Sequence, residues 1–227
     1  MKNANDMPIE EFREYGHRMI DWAADYLKNI ETFPVSPNIN PGDIIKQLPA
    51  SAPLYGEKME NIFKDLENII LPGLTHWNHP SFMAYFNSTS SAPGILAELL
   101  SAVFNVNGMI WKTAPAASEL EQTTLEWFRQ MLNLPDNFRG IIYDTASVSS
   151  MHAIAAAREN LNIKIRQEGL SGKKRIRLYT SVEAHSSIEK AALTLGIGLE
   201  GVRKIPVDKN FCMDTEKLSG AIEEDLK

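Results

Sequence analysis

Apolar positions near the start of the chain recur at helical spacing. Phe12, Met19, Ile20, Ala23 and Leu27 share one face, which predicts an amphipathic helix over residues 8–30. Pro8 suits a first helical turn, and Asp6 is placed to cap it. The periodicity then stops. Pro34, Pro37, Pro41, Pro49 and Pro53 fall within residues 33–55, so this stretch reads as an extended arm with little regular structure. A second helix is expected over 58–70, with Met59, Ile62, Phe63, Leu66, Ile69 and Ile70 on its apolar side and Pro72 closing it. Two amphipathic helices joined by such an arm make a poor core of their own. Their apolar faces need another surface, and packing across a dimer interface is expected.

From Pro80 onward the texture changes. Helices are expected over 93–105 and 115–134, followed by the short apolar run Gly140-Ile141-Ile142-Tyr143, read as a strand. A polar turn over 144–147 leads into a helix reaching about residue 168. Residues 174–180 read as a strand with basic flanks, 186–195 as a helix, 202–207 as a strand and 214–227 as a further helix. Strands alternating with helices at this spacing indicate right-handed βαβ units on a parallel sheet, an α/β fold. Roughly three strands are fewer than the usual five or six. The last helix is charged and no closing strand follows it, so the pattern predicts a domain cut before its end. The expected division is a helical segment with its proline-rich arm over 1–80, then the first part of a larger α/β domain over 81–227.

Composition narrows the options only a little. With 44% hydrophobic and 23% charged residues the chain is ordinary for a soluble globular protein. A net charge of −6 argues against nucleic acid as a partner. The single cysteine, Cys212, has no histidine partner in sequence and allows no internal disulfide, which fits a reducing compartment. No apolar run approaches the ~18–20 residues that a membrane span requires, and the acidic start is unlike a signal or transit peptide. A cytoplasmic protein with no membrane partner is expected.

The strongest chemical signal is Tyr143-Asp144-Thr145-Ala146-Ser147, between an apolar run and a helix. Backbone N–H groups at a helix N-terminus form an anion site, and small residues let a phosphate come close. The same residue types also serve simply as helix caps. His185 is the second signal, following a strand and preceding Ser186-Ser187 at a helix start, at the sheet edge where α/β folds bind ligands. A flat ring there could stack on a flat cofactor, or could be held by local hydrogen bonds alone. His76 and His79 suggest a metal pair, but a site needs three or four ligands and no third lies nearby, so no metal is expected. Tyr85, Phe86 and Trp111 could line an aromatic pocket or could be core. There is no GxGxxG and no P-loop.

Taken together, these segments resemble the group II pyridoxal-phosphate (PLP) decarboxylases, the aromatic-L-amino-acid decarboxylase family, over nearly the whole chain. The resemblance begins at Glu11-Phe12-Arg13 with Met19-Ile20-Asp21 and continues through Pro41-Gly42 and Pro49-Ala50-Ser51-Ala52-Pro53. It is most specific in Pro72-Gly73-Leu74-Thr75-His76-Trp77 and His79-Pro80-Ser81-Phe82-Met83-Ala84-Tyr85-Phe86. Trp111 with Pro115-Ala116-Ala117-Ser118-Glu119-Leu120-Glu121 is similar to the family's Trp…Ser-Pro-Ala-x-Thr-Glu-Leu-Glu signature. Thr145-Ala146-Ser147 matches its phosphate-binding Ser-Ala-Ser, and His185-Ser186-Ser187-Ile188-Glu189-Lys190-Ala191 matches the segment whose histidine covers the cofactor ring.

The resemblance implies a PLP-dependent transferase-like (fold type I) large domain, incomplete here, preceded by an α-helical dimerisation segment. It implies PLP as cofactor, with Thr145, Ala146 and Ser147 holding the phosphate and His185 stacking on the ring as the catalytic histidine. Ser88, Tyr85, Trp77 and Trp111 would belong to the substrate pocket, and the assembly would be an intertwined homodimer. Asp144 stands where some relatives have glycine. A carboxylate beside a phosphate is repulsive, so its side chain is expected to cap the helix or point away. Met109 replaces an aromatic pocket residue of better-known members. The family's cofactor-anchoring lysine follows a histidine, and no His-Lys pair occurs in these residues. The implied activity is decarboxylation of an L-amino acid, most readily an aromatic one, to amine and CO2, with these residues alone expected to be inactive. An aldehyde-forming decarboxylase–oxidase and a non-catalytic dimerisation or binding module are the alternatives.

Overall fold

The computed structural model describes residues 7–227, so the Asp6 cap lies outside the described residues. The chain divides into two compact units, Met1–Asn105 and Val106–Lys227.

In the first unit, α1 spans Ile9–Lys28 with Pro8 in extended conformation ahead of it. Glu10 and Glu11 in its first turn and Lys28 in its last complement the helix dipole. At Asn29 the helix stops, and the side-chain amide of Asn29 donates to the Asp25 carbonyl at 2.9 Å. A single turn buries Ile30 and brings Phe33 back onto Tyr26, with ring centroids 5.4 Å apart. The arm has no helix or strand except one 3-10 turn, Ile45–Gln47.

The helix expected over 58–70 is broken into pieces. α2 covers Met59–Asp65, widens into a π turn at Leu66–Ile70 and tightens to a 3-10 turn at Leu71–Gly73. Pro72 supplies the reason, because it has no N–H for the α-helical ladder and its ring crowds the preceding turn. α3, Ala92–Phe104, is well punctuated: the Ser91 hydroxyl accepts from the Gly94 N–H, Pro93 sits in the first turn, and Asn105 ends it at φ +48°.

In the second unit, α4 spans Pro115–Met131. α5, Ala146–Glu159, and a short α6, Ile165–Glu168, replace the single helix expected to run to 168. β1 (Leu178–Ser181) and β2 (Val202–Ile205) pair in parallel, with Leu178 opposite Val202 and Ser181 opposite Ile205. Between them runs α7, Ser187–Thr194, which packs on α5 and buries Ala191 and Ala192. α8, Thr215–Asp225, is capped by Asp214, whose carboxylate accepts from the Glu216 and Lys217 N–H groups at 3.0 Å each. Parallel pairing through a helical crossover is the βαβ arrangement that the sequence pattern predicts.

The expected strand over 140–143 is not formed. Its one hydrogen bond to another segment among the described residues is the Ile142 N–H donating to the Glu121 carboxylate at 3.0 Å, and the only sheet among those residues has two strands. An apolar run becomes a strand only where a neighbouring strand takes up its backbone groups, and none lies beside it.

Candidate functional site

The N-terminus of α5 is built by its cap. Thr145 is extended, at φ −142° and ψ 152°, and its Oγ1 accepts the Val148 N–H at 3.2 Å while its carbonyl accepts the Ser149 N–H at 3.0 Å. The N–H groups of Ala146 and Ser147 have no acceptor among the described residues, and residues 144–147 are exposed. The capping role of the motif is the one the hydrogen bonds display. Thr145 is the cap, and the amides beside it stay available to an anion. Asp144 takes no part in the capping. Just upstream, the Tyr143 ring stacks on His152 of α5, with centroids 4.3 Å apart, and the His152 Nδ1 lies 2.9 Å from the Val148 carbonyl. Nothing in the apolar periodicity announces that pair, because the two residues belong to different elements.

His185 lies in the turn between β1 and α7 and is exposed. The turn is fixed by the Val182 N–H donating to Ile205 O and the Glu183 N–H donating to the Ser181 hydroxyl. The His185 Nδ1 accepts the Ser187 N–H at 3.2 Å and lies 3.0 Å from the Ser187 hydroxyl, itself buried. A nitrogen that accepts a backbone N–H carries no proton, so the neutral ring holds its proton on Nε2. Local hydrogen bonds and cofactor stacking are thus compatible: the first uses one ring edge and the second needs a face.

The aromatic turn belongs to the first unit. Trp77 stacks on Tyr85 with centroids 5.4 Å apart and planes 8° apart, and touches Phe82 at 4.7 Å. Tyr85 adopts φ +61°, a left-handed conformation that costs a non-glycine residue about 1 kcal/mol. Two asparagines hold the turn: the Asn87 amide donates to the Trp77 carbonyl at 2.7 Å, and the Ser90 N–H donates to the Asn78 side chain at 3.0 Å. Tyr85 and Phe86 project almost wholly into solvent, and Ser88 is exposed without a hydrogen bond among the described residues. The structure therefore brings Trp77 and Tyr85 together. Trp111 is in the second unit, where its indole N–H donates to Glu119 at 2.9 Å.

No group of three or more potential metal ligands occurs among the described residues. His76 is instead buried, 2% exposed, against Tyr26 and Phe33, with its Nδ1 2.7 Å from the Tyr26 hydroxyl. Burial first, and nearby His79 second, hold its pKa below the ordinary value of 6.5. Cys212 is exposed and unpaired.

A parallel βαβ unit that follows a side-chain-capped helix, with an exposed histidine in the turn after its first strand, defines an α/β protein. Comparison with known proteins gives the particular family. The pyridoxal-dependent decarboxylase conserved domain matches residues 41–227, and the chain belongs to that family. Tryptophan decarboxylase 2 of Oryza sativa subsp. japonica is 41% identical, over 97% of this chain and 45% of its own length. Phenylacetaldehyde synthase of Petunia hybrida is also 41% identical, over 100% of this chain and 46% of its own. The crystal structure of Oryza sativa TDC with PLP and tryptamine superposes with a TM-score of 0.89 at 32% identity, covering 100% of this chain and 50% of that one. The fold is that of the fold type I PLP decarboxylases. The chain spans about half the length of the curated relatives it matches.

Proposed function

We propose that the protein acts in the PLP-dependent decarboxylation of an aromatic L-amino acid, releasing CO2 and the corresponding amine, and that these residues contribute its cofactor cradle and aromatic substrate wall. The observation that carries this reading is the start of α5, where a side-chain cap leaves two adjacent amides unpaired. Bound PLP supplies an electron sink for the pair of electrons left at the α-carbon when CO2 departs.

The chain's own residues hold and orient. The Ala146 and Ser147 N–H groups and the Ser147 hydroxyl donate to phosphate oxygens. The Thr145 hydroxyl, which accepts the Val148 N–H, keeps its own proton to donate as a further contact. His185, tethered through Nδ1, offers a ring face to the pyridine and keeps it in one orientation, a positioning contribution to the rate. The stacked Trp77 and Tyr85 form an apolar wall for an aromatic side chain, with the Ser88 hydroxyl as the nearby polar group, and Trp111, its N–H already committed to Glu119, presents ring surface.

The assembly is a homodimer that buries the apolar face of α1. No helix among the described residues is long and apolar enough to cross a membrane, and unpaired Cys212 suits a reducing cytoplasm. A second outcome, oxidative release of the aldehyde with dioxygen taking the two electrons to give hydrogen peroxide, is favoured by one observation: a phenylacetaldehyde synthase matches this chain at the same 41% identity as a tryptophan decarboxylase.

The test is incubation of the full-length protein, saturated with PLP, with tryptophan, tyrosine, phenylalanine and glutamate, following CO2, amine, aldehyde and ammonia. Amine and CO2 in equal amounts from an aromatic substrate support decarboxylation. Aldehyde with ammonia supports the second outcome. PLP binding without turnover of any substrate would overturn the enzyme assignment and leave a binding module.

A further inference from the structure

His76 and Trp77 are consecutive, yet each belongs to a different cluster. The His76 ring lies in a pocket made by α1 and the turn after it, 4.9 Å from the Phe33 ring and 5.7 Å from that of Tyr26, whose hydroxyl meets its Nδ1 at 2.7 Å. Tyr26 is itself stacked flat on Trp22, with planes 1° apart, so the partner of His76 is rigidly held. The His76 N–H donates to Val35 O at 3.0 Å, and its carbonyl accepts the His79 N–H at 2.9 Å, which fixes its backbone on both sides. The Trp77 ring leaves in another direction, to become the surface on which Tyr85 stacks, and its carbonyl anchors Asn87. One planar peptide link joins the buried imidazole to the stacked indole, and hydrogen bonds at both its ends restrain the rotations beside it: its carbonyl accepts the His79 N–H at 2.9 Å and its N–H donates to Thr75 O at 3.1 Å.

We infer that His76 is a positioning residue for the substrate wall: its anchorage to Tyr26 sets the direction of Trp77, and through Trp77 the placement of Tyr85. This rests on the assignment of Trp77 and Tyr85 to the substrate side chain. Tyr85 needs such support, because its left-handed backbone is held against a local preference for other conformations. The stack on Trp77 and the two asparagine contacts are what the structure places around it. His76 touches neither, so its influence on substrate is indirect. The hydrogen bond is a directional tether, and an apolar residue of similar bulk would fill the pocket without supplying it.

Two variants isolate the tether, with His76→Leu as the control that fills the pocket without it. Tyr26→Phe removes one hydroxyl and keeps the ring, and His76→Asn keeps an acceptor near the position of Nδ1. Both are made in the whole protein, with 5-fluorotryptophan incorporated and the Trp77 resonance assigned by Trp77→Phe. The expected result for Tyr26→Phe is a displaced or broadened Trp77 signal and a KM for the aromatic substrate raised about three- to tenfold, the range of one net hydrogen bond. The kcat and PLP affinity should stay within about twofold. His76→Asn should restore most of the Trp77 signal that His76→Leu loses. An unmoved Trp77 resonance in Tyr26→Phe, or loss of stability and kcat with KM unchanged, overturns the inference and leaves His76 as core. The fluorine readout needs no turnover, so failure of the decarboxylase assignment would show as absent activity in the parent protein, apart from this result.

Discussion

Ser147 sits one residue inside α5, so its side chain can be changed without touching the Thr145 cap. Ser147→Asp separates a helix-capping role from an anion-binding one. An acidic residue in the first turn favours the helix by ~0.3–1 kcal/mol, so thermal stability should hold or rise slightly. The same carboxylate would face the phosphate, and PLP affinity should fall at least about tenfold through like-charge repulsion. Cofactor titration beside a melting curve checks both, and unchanged PLP affinity would remove the phosphate from this helix end. His76 gives a second prediction at this scale. Its pKa is lowered in the fold, by burial first and by His79 next, with the Tyr26 hydroxyl as its direct partner. The neutral form is therefore the one the fold prefers. The stability it contributes is present above the ordinary 6.5 and is lost as pH falls from there toward the lowered value. Melting temperatures at pH 7.5 and 5.5 should show a decline that His76→Asn makes shallower.

At the scale of elements, α8 is tied to the sheet by two carboxylates, an outer one on Glu224, 2.6 Å from Arg203 Nη2, and a buried one on Asp225. Asp225, whose side chain is 8% exposed, meets Arg177 Nε at 3.0 Å and Arg203 Nε at 3.5 Å, and accepts the Tyr179 hydroxyl at 2.9 Å. Burial first, then Asp225, raise the Tyr179 pKa. Asp225→Asn should therefore destabilise the second unit by ~2 kcal/mol, below the full value of a buried pair because both arginines remain partly hydrated. Arg13→Ala, which removes an exposed pair with Glu10, should change stability by less than about 0.5 kcal/mol. Urea denaturation of both variants makes the comparison.

These elements also show what the pattern along the chain could reveal. α1, α3, α4, α7 and α8 fall within a few residues of their expected bounds because caps and periodicity are local properties. Residues 140–143 do not form a strand, because strand formation is decided by a neighbour rather than by the segment itself. The break of the second helix into a π turn follows from Pro72, visible in sequence, but the register it forces is not. At the candidate site, the Thr145 cap was legible as a residue type. The Tyr26–His76 contact, spanning fifty positions, carries no periodic signal.

The whole molecule leaves more apolar surface in water than a finished assembly tolerates. On α1, Ile9, Phe12, Met19 and Ile20 are 67%, 51%, 39% and 42% exposed. With Met59 of α2 and Leu99 of α3 they line a cavity of about 550 Å3 within the first unit. The lining is mostly apolar, with Arg13 and His17 at hand, and the net charge of −6 is too small to hold two copies apart at physiological salt. A second copy that buries this face gains ~25 cal/mol for each Å2 of apolar surface removed from water. Phe12→Asp places a charge in the middle of the face, where dimer formation would strip its water without offering a partner. Sedimentation equilibrium should then show a dimer for the parent protein, and at least about a tenfold weaker self-association for the variant. The parent's melting temperature should climb with protein concentration, and that dependence should fade in Phe12→Asp. A parent protein that stays monomeric across the micromolar range, or a variant that dimerises as well as the parent, would mean that α1 covers something other than its own copy.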